Sequence, residues 1–524
     1  MEQLQGMDAS FIALERPHAP LHIGSVIIYN PETAPNGFVR FKDILSFIES
    51  RMGLSRTMRQ RLVTVPFGID YPYWIEDPNF DLEYHVRHVA LPKPGDWRQL
   101  CIQAARTFSR PLDLTRPPWE ILVVEGLDEV EGVPAGSYAM ISKVHHAAID
   151  GMSGIDLMHA LHALTASTAP PNTPDNWKPE RMPSQAGLFA RGYVRGWTLP
   201  LRQTAAVAKA LPGAARVAKG LVTGDFDLES LLATPKTRFN KSISAARVVE
   251  GRTFPLKGIK AIRSLSEGCK VNDVMLALVG GALNKYLAHY NELPDKTLTA
   301  MAPISVRSEG EKNTMGNQVS AMLVPLGSHI DDPAQRLSFV HEQTLKSKAM
   351  TNAMGARQMT EISKHSPNLF MGLGARLYSQ LGIANRIKPI FNTIVTNVPG
   401  PPIPIYSTGA RVENLFGMLC LLDGLGLGHV VQSYVDKLTV MFTACREMMP
   451  DPEFYAACLQ ASYDDLIAAA GYIEAAPVSE TPAAKPKAKT KPKAKRKTAS
   501  KKTAVASANR KKTTRRKTTA KTKT

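Results

Sequence analysis

The sequence predicts an α+β protein with two domains, each built on a mixed sheet. Three observations lead there. A chain of 524 residues exceeds what one hydrophobic core ordinarily serves. Short runs of β-branched and aromatic residues alternate irregularly with stretches of helical period, without the strict rhythm of a parallel sheet. A composition of 44% hydrophobic and 21% charged residues is that of a folded globule. No uninterrupted apolar run approaches the roughly 20 residues of a membrane span, and the first residues carry neither a basic nor an apolar signal region, so a soluble or peripheral protein is expected.

The elements follow in order. His22 to Tyr29 reads as a strand after the prolines at 17 and 20, and Phe41 to Met52 has helical spacing. Phe80 to Val86 alternates like a half-buried strand, Asp96 to Phe108 reads as a helix, and Ile121 to Glu125 as a strand. Ser137 to Lys143 is a buried strand, and apolar spacing from Met152 to Leu164 predicts a helix capped by Asp150 or Ser153. Ala169 to Pro183 is a proline-rich loop. From Leu188 to Val222 basic residues stand at helical intervals among apolar ones, as in a helix lying on a membrane surface. Gly192, Gly196, Pro200, Pro212 and Gly213 interrupt it and favour a crossover between domains with a solvated basic face. The second domain begins near Thr237. It has strands at 247–254, 298–307, 316–324 and 391–398, helices at 257–265, 333–350 and 452–470, and a hairpin around Asp436-Lys437. A strongly apolar helix follows Asn272-Asp273 and runs to about Tyr290.

These elements divide the chain into residues 1–165, a linker or crossover at 166–236, a second domain at 237–472 and a disordered tail at 473–524. The formal net charge of +18 belongs to that tail. Residues 481–524 hold 18 Lys and Arg and no acid, and the other 46 basic residues balance all 46 acids. Such a segment, almost free of apolar bulk, is expected to be disordered and to meet polyanions such as DNA or an anionic lipid surface without base-specific contacts. Five scattered cysteines (101, 269, 420, 445, 458) without a CxxC favour a reducing cytoplasm and no disulfide frame.

The chemistry concentrates at His145-His146-Ala147-Ala148-Ile149-Asp150-Gly151, where a strand gives way to a loop. Successive strand side chains point to opposite faces, so one imidazole can enter a cavity while the other packs. A neutral imidazole suits the transfer of a hydroxyl proton. Asp150 can fold back to hold a neighbour, and Gly151 permits the turn. The spacing is not that of a zinc site, and no metal is expected. Two satisfied histidines before a helix cap fit the heptad alone equally well. Asn272-Asp273 are helix caps by residue type, but two in tandem leave one side chain spare to donate toward an anionic oxygen.

The His-His-x₃-Asp-Gly signature, Pro118-Trp119-Glu120, Val271-Asn272-Asp273-Val274 and Asn397-Val398-Pro399-Gly400-Pro401 occur in one order. In this the chain resembles the bacterial wax ester synthase/diacylglycerol O-acyltransferase family over about residues 6–472, although the family more often has Pro-Leu-Trp where this chain has Pro117-Pro118-Trp119. The resemblance implies two chloramphenicol-acetyltransferase-like subdomains facing one another across a central channel. It implies His146 as general base, moving the proton of a diacylglycerol or fatty-alcohol hydroxyl that attacks acyl-CoA directly, with no covalent intermediate. His145, Asp150 and Gly151 would set the loop, and Asn272, with Asp273, would stand by the oxyanion. Pro118, Trp119, Asn397, Pro399 and Gly400 would be architectural. Acyl-CoA would be substrate rather than cofactor, and the enzyme would work at a membrane or lipid-droplet surface. Two other readings are a carrier-protein donor or complex-lipid acceptor, and a non-catalytic tether on lipid bodies or the nucleoid.

Overall fold

Strand residues that are apolar on both faces need cover on both sides, and the first half of the chain supplies it with two helices. The computed structural model describes residues 1–4, 6–148, 158, 160–169, 177–195, 234–305, 319–354, 374 and 376–472. In the first half these form β1 (Glu2–Gln3), α1 (Gly6–Leu14), β2 (His22–Asn30), α2 (Phe41–Glu49), β3 (Gln60–Val63), β4 (Tyr73–Glu76), α3 (Leu82–His85), β5 (Val86–Ala90), α4 (Trp97–Ser109), β6 (Trp119–Glu125) and β7 (Tyr138–His145). Ile27 and Tyr29 of β2 and Tyr138 and Met140 of β7 pack with Ile44 and Ile48 of α2. The alternate residues Val26, Ile28, Ala139 and Ile141 pack with Leu100, Ala104 and Phe108 of α4. A small antiparallel sheet, β1-β4-β3, stands apart from this one.

The second half forms β8 (Arg247–Pro255), α5 (Leu256–Ile262), α6 (Val271–His289), β9 (Thr299–Ser305), β10 (Val319–Pro325), α7 (Pro333–Met354), β11 (Thr393–Val398), β12 (Tyr406–Ser407), β13 (Ala410–Met418), β14 (Leu427–Tyr434), β15 (Lys437–Cys445) and α8 (Pro452–Ala469). Helix α6 is apolar all round because it is enclosed all round, with residues from Val274 to Leu283 inside the core it shares with α8. The second sheet has the order β10-β9-β11-β14-β15-β8, in which β11 runs parallel to β9 and β14 and the other pairs are antiparallel.

Both sheets are mixed, as expected, but the halves are not separate in sequence. The first sheet has the order β12-β13-β2-β7-β6-β5, so two strands from the second half complete it. A division that assigns all of 237–472 to the second domain therefore needs correcting at 406–418, because β13 pairs with β2 from Arg411↔Asn30 to Met418↔Gly24. The crossing strand also binds the second sheet. Thr439 Oγ1 donates to Leu415 O at 2.6 Å and Tyr434 OH to Val412 O at 3.0 Å. Gly417 lets the sheets approach, since a Cβ there would lie 2.4 Å from Val430 Cγ1. At the other side of the junction, Trp97 at the start of α4 donates to the buried Glu250 of β8.

Two local expectations change. Phe80 to Val86 is not a strand. The Asp81 side chain accepts the Glu83 N–H at 3.0 Å and starts the single turn α3, and only Val86 onward is extended. Asn272 and Asp273 do not precede their helix either, for α6 begins at Val271. Asp150, Gly151, most of the helix expected after them, the basic segment beyond 195 and the tail at 473–524 lie outside the described residues. Among the described residues no helix is long and apolar enough to cross a membrane.

The crossing begins at Asn397-Val398-Pro399-Gly400-Pro401, where β11 ends. The Gly400 N–H donates to Ser433 Oγ at 3.2 Å and the Val435 N–H to Pro401 O at 3.1 Å. A Cβ on Gly400 would sit 1.9 Å from the Ser433 carbonyl oxygen. Gly400→Ala should therefore lower the urea unfolding free energy by about 1–3 kcal/mol through overpacking, whereas Ser→Ala at the exposed Ser264 should leave it within about 0.5 kcal/mol.

Candidate active site

The paired histidines are held by backbone hydrogen bonds on both flanks. The His145 N–H donates to Pro118 O and the His146 N–H to Leu21 O, each at 2.9 Å. β7 thus stays paired with β2 and with the Pro118-Trp119 segment up to its last residue, after which 146–148 turn as one 3₁₀ helix. Trp119 anchors that segment. It is buried, donates from Nε1 to Met58 O at 2.9 Å and stacks on His85 at 4.6 Å.

The two rings take different environments. His145 is fully buried. Its Nδ1 accepts the Ala147 N–H at 3.1 Å, which leaves the proton on Nε2, 3.5 Å from a Glu15 carboxylate oxygen. The other Glu15 oxygen accepts the Leu21 N–H at 3.2 Å. One carboxylate therefore steadies both His145 and the chain segment that pairs with His146. On the same side, His22 is buried with Nε2 2.6 Å from Phe108 O, and Lys143 is buried with Nζ 2.8 Å from Arg110 O and 3.3 Å from Glu120. Burial, and secondly the Lys143 charge, lower the His22 pKa to about 3.

His146 is only half-buried. Its ring stacks face to face on Phe11 of α1, with centroids 3.9 Å apart and planes 15° from parallel. Nδ1 is enclosed with no hydrogen-bond partner in another residue, whereas Nε2 is not enclosed. Burial, followed by a smaller push from His145, lowers the His146 pKa to about 4, while its own backbone works the other way. The ring is thus uncharged at neutral pH. Sequence reasoning missed Phe11 and Glu15. Nothing in the local sequence around either singles out a contact with the histidines.

The remaining candidates stand elsewhere. Asn272 is half-buried at the second position of α6. Asp273 is buried, and one of its oxygens accepts the Lys270 N–H at 3.0 Å and faces His341 Nδ1 at 2.9 Å. An acceptor-only carboxylate so engaged closes the helix start and cannot donate to an oxyanion. No hydrogen bond, ion pair or ring contact joins Asn272 or Asp273 to the histidine pair among the described residues. Cys269, Asp273 and His341 bring donor atoms within 4.8 Å of one another, the chemistry of a metal trio. Burial, and next to it the Asp273 charge, push the Cys269 thiol up to about 11, and its Sγ donates to Lys270 O. A cleft of about 750 Å³ runs along edge strand β5, lined by Phe41, Lys42, His88 and Arg110 among others, and does not include His146.

Two helix-flanked mixed sheets tied by a crossing strand define a condensation-domain-like fold. A condensation domain of the calcium-dependent antibiotic synthetase matches 90% of this chain and 96% of its own (TM-score 0.53, 14% identity). A wax ester synthase/diacylglycerol acyltransferase from Marinobacter aquaeolei VT8 matches 90% of this chain and all of its own, with a TM-score of 0.63 and 23% identity. The family described as wax ester synthase/diacylglycerol acyltransferase catalytic domain matches residues 4–275, and the WS/DGAT C-terminal domain matches 315–467. A Mycobacterium tuberculosis protein provisionally named a diacylglycerol O-acyltransferase is 31% identical over 479 residues, 90% of this chain and 100% of that one. An O-acyltransferase of Acinetobacter baylyi is 30% identical over 86% of this chain and 93% of its own. The chain belongs to the wax ester synthase/diacylglycerol acyltransferase family, and it is an acyltransferase.

Two outcomes follow from the environment of the rings. Removing the stacked ring with Phe11→Ala should let water reach His146 and raise its pKa from about 4 toward 6.5, which NMR titration of the imidazole would register. His22, His146 and the buried His429 of β14 are held at about 3, 4 and 4, below their unfolded value of 6.5. The unfolded chain therefore binds more protons in that window. Stability should be complete above pH 6.5 and fall as pH drops toward 4, by about 1.4 kcal/mol per pH unit for each fully responding ring. Urea unfolding at pH 7, 5.5 and 4.5 measures the slope, and a flat profile would contradict the assignment.

Proposed function

We propose that this chain transfers a fatty acyl group from acyl-CoA to the hydroxyl of diacylglycerol or a long-chain alcohol, with His146 as general base. The observation that carries the reading is the state of that ring: pinned by its backbone, stacked on Phe11, uncharged at neutral pH and open at Nε2. The acceptor oxygen attacks the thioester carbonyl carbon as Nε2 takes the hydroxyl proton. The tetrahedral intermediate collapses with loss of the C–S bond, and the proton passes to the departing sulfur. The products are an ester and free CoA, and no acyl-enzyme forms. The amide of Asn272, near the positive end of α6, is the proposed donor to the oxyanion. His145 and Glu15 position the loop, and Asp150 and Gly151 are proposed to complete it. The basic tail is proposed to meet anionic lipid or other polyanions by charge alone.

A positioned base supplies about 10²–10⁴-fold. His146→Ala should lose that much of kcat on labelled palmitoyl-CoA with hexadecanol or diolein, with folding unchanged by circular dichroism. Full retention of activity would remove His146 from the mechanism. Because the ring stays neutral to about pH 4, kcat/KM should hold through pH 6.5 and fall only on approach to pH 4. Rapid-quench analysis should find no acylated protein, and acyl carrier protein in place of CoA tests the donor. Asn272→Ala should cost kcat about 10²–10³-fold with little change in KM, as for loss of one oxyanion donor.

A further inference from the structure

The turn Pro66-Phe67-Gly68 carries a phenylalanine at φ 58°, a left-handed conformation that a bulky residue avoids, and its ring is 83% exposed. It does not stand alone. The helical segment 185–195 is anchored beneath by Leu188, buried with Val63, Val65, Tyr73 and Ile75 of the small sheet. Its outer face sets Phe189 edge-on to Phe67 at 6.2 Å and Tyr193 stacked on Phe189 at 6.4 Å. Val194 is 69% exposed and Ile69 borders Gly192, so one apolar, largely aromatic face is continuous from the turn to the helix.

The charge on the helix of this face is basic. Segment 185–195 contains Arg191 and Arg195 and no acid. Arg191 is exposed and makes no ion pair among the described residues. Asp70, the carboxylate packed against Gly192, is half-buried. Aromatic side chains beside an exposed arginine fit the headgroup–acyl boundary of a bilayer, where rings enter the apolar layer and a guanidinium meets phosphate.

We propose that the Phe67 turn and helix 185–195 form the face by which this enzyme docks on an anionic phospholipid surface. The proposal deepens the acyl-transfer reading, on which it rests for its purpose, because an acceptor dissolved in a membrane must be reached from that membrane. The tail, by contrast, would bind through charge that salt screens.

The test uses the full chain and vesicles of phosphatidylcholine with and without phosphatidylglycerol. In high salt, where the tail is screened, the double variant Phe67→Ser, Phe189→Ser should bind anionic vesicles about 10-fold more weakly than the parent, as two rings leave the interface. Phe38→Ser, at an exposed ring outside this face, should bind like the parent. Phe67→Trp should give a fluorescence signal quenched by brominated lipid. Turnover on a water-soluble short-chain alcohol should be unchanged in the double variant, while turnover on vesicle-borne diacylglycerol falls. Equal vesicle binding, or absence of quenching at position 67, would overturn the proposal. So would equal loss on the soluble acceptor, which would place these rings in the internal architecture of the enzyme. A parent without turnover on any acceptor would count against acyl transfer, with docking still judged by sedimentation and quenching.

Discussion

The pinning of β7 at its very end governs everything built at the site. Strand ends ordinarily fray, but the last residue of β7 and the first after it each donate a backbone hydrogen bond to a different neighbour, Pro118 and Leu21. That double hold fixes which imidazole points inward. A slip of one residue would exchange the two rings, burying the accessible one and exposing His145. The supports are themselves locked, Pro118 by the buried Trp119 and Leu21 by the Glu15 carboxylate. The positions of the histidines are thus a property of four chain segments, only one of which contains them.

Electrostatics at the site follow first from this packing and only second from neighbouring charge. His22 is neutral because it is buried facing a lysine, and His146 because an aromatic ring covers one of its faces. Glu15 stands against His145, not His146. In the proposed chemistry the base therefore has no carboxylate partner among the described residues. This differs from the acid–base–nucleophile relays in which an aspartate orients the imidazole.

Much of this was legible in the residues. The alternation rule separated His145 from His146, and apolar runs marked the strands of both sheets because strands covered on both faces need apolar residues throughout. What was not legible depended on distant partners. β13 contains Arg411, Glu413 and Asn414 and a bulge between Val412 and Asn414, which together hide its alternation. It is a strand because β2, nearly four hundred residues earlier, offers it an edge. Phe80 to Val86 alternates convincingly, yet Asp81 caps a turn there. Asp273 was read as preceding its helix when it reaches back from the third position, a pattern that the three-residue spacing from Lys270 would have allowed. Phe11 belongs to the same class, since no local pattern reveals that a helix side chain will lie over a ring 135 positions later.

The crossing of β13 also bears on how the protein is made. As the chain leaves the ribosome, β2 and β7 are available early, but the neighbour that covers the other edge of β2 arrives only when residues 410–418 emerge. At about 5–20 residues per second that interval is on the order of tens of seconds. Through it the nascent first sheet keeps an open hydrogen-bonding edge rich in Val and Ile, a surface prone to pairing with other chains. The two halves are therefore bound to a common timetable: the sheet that carries the histidines can be finished only after most of its neighbour has been synthesised.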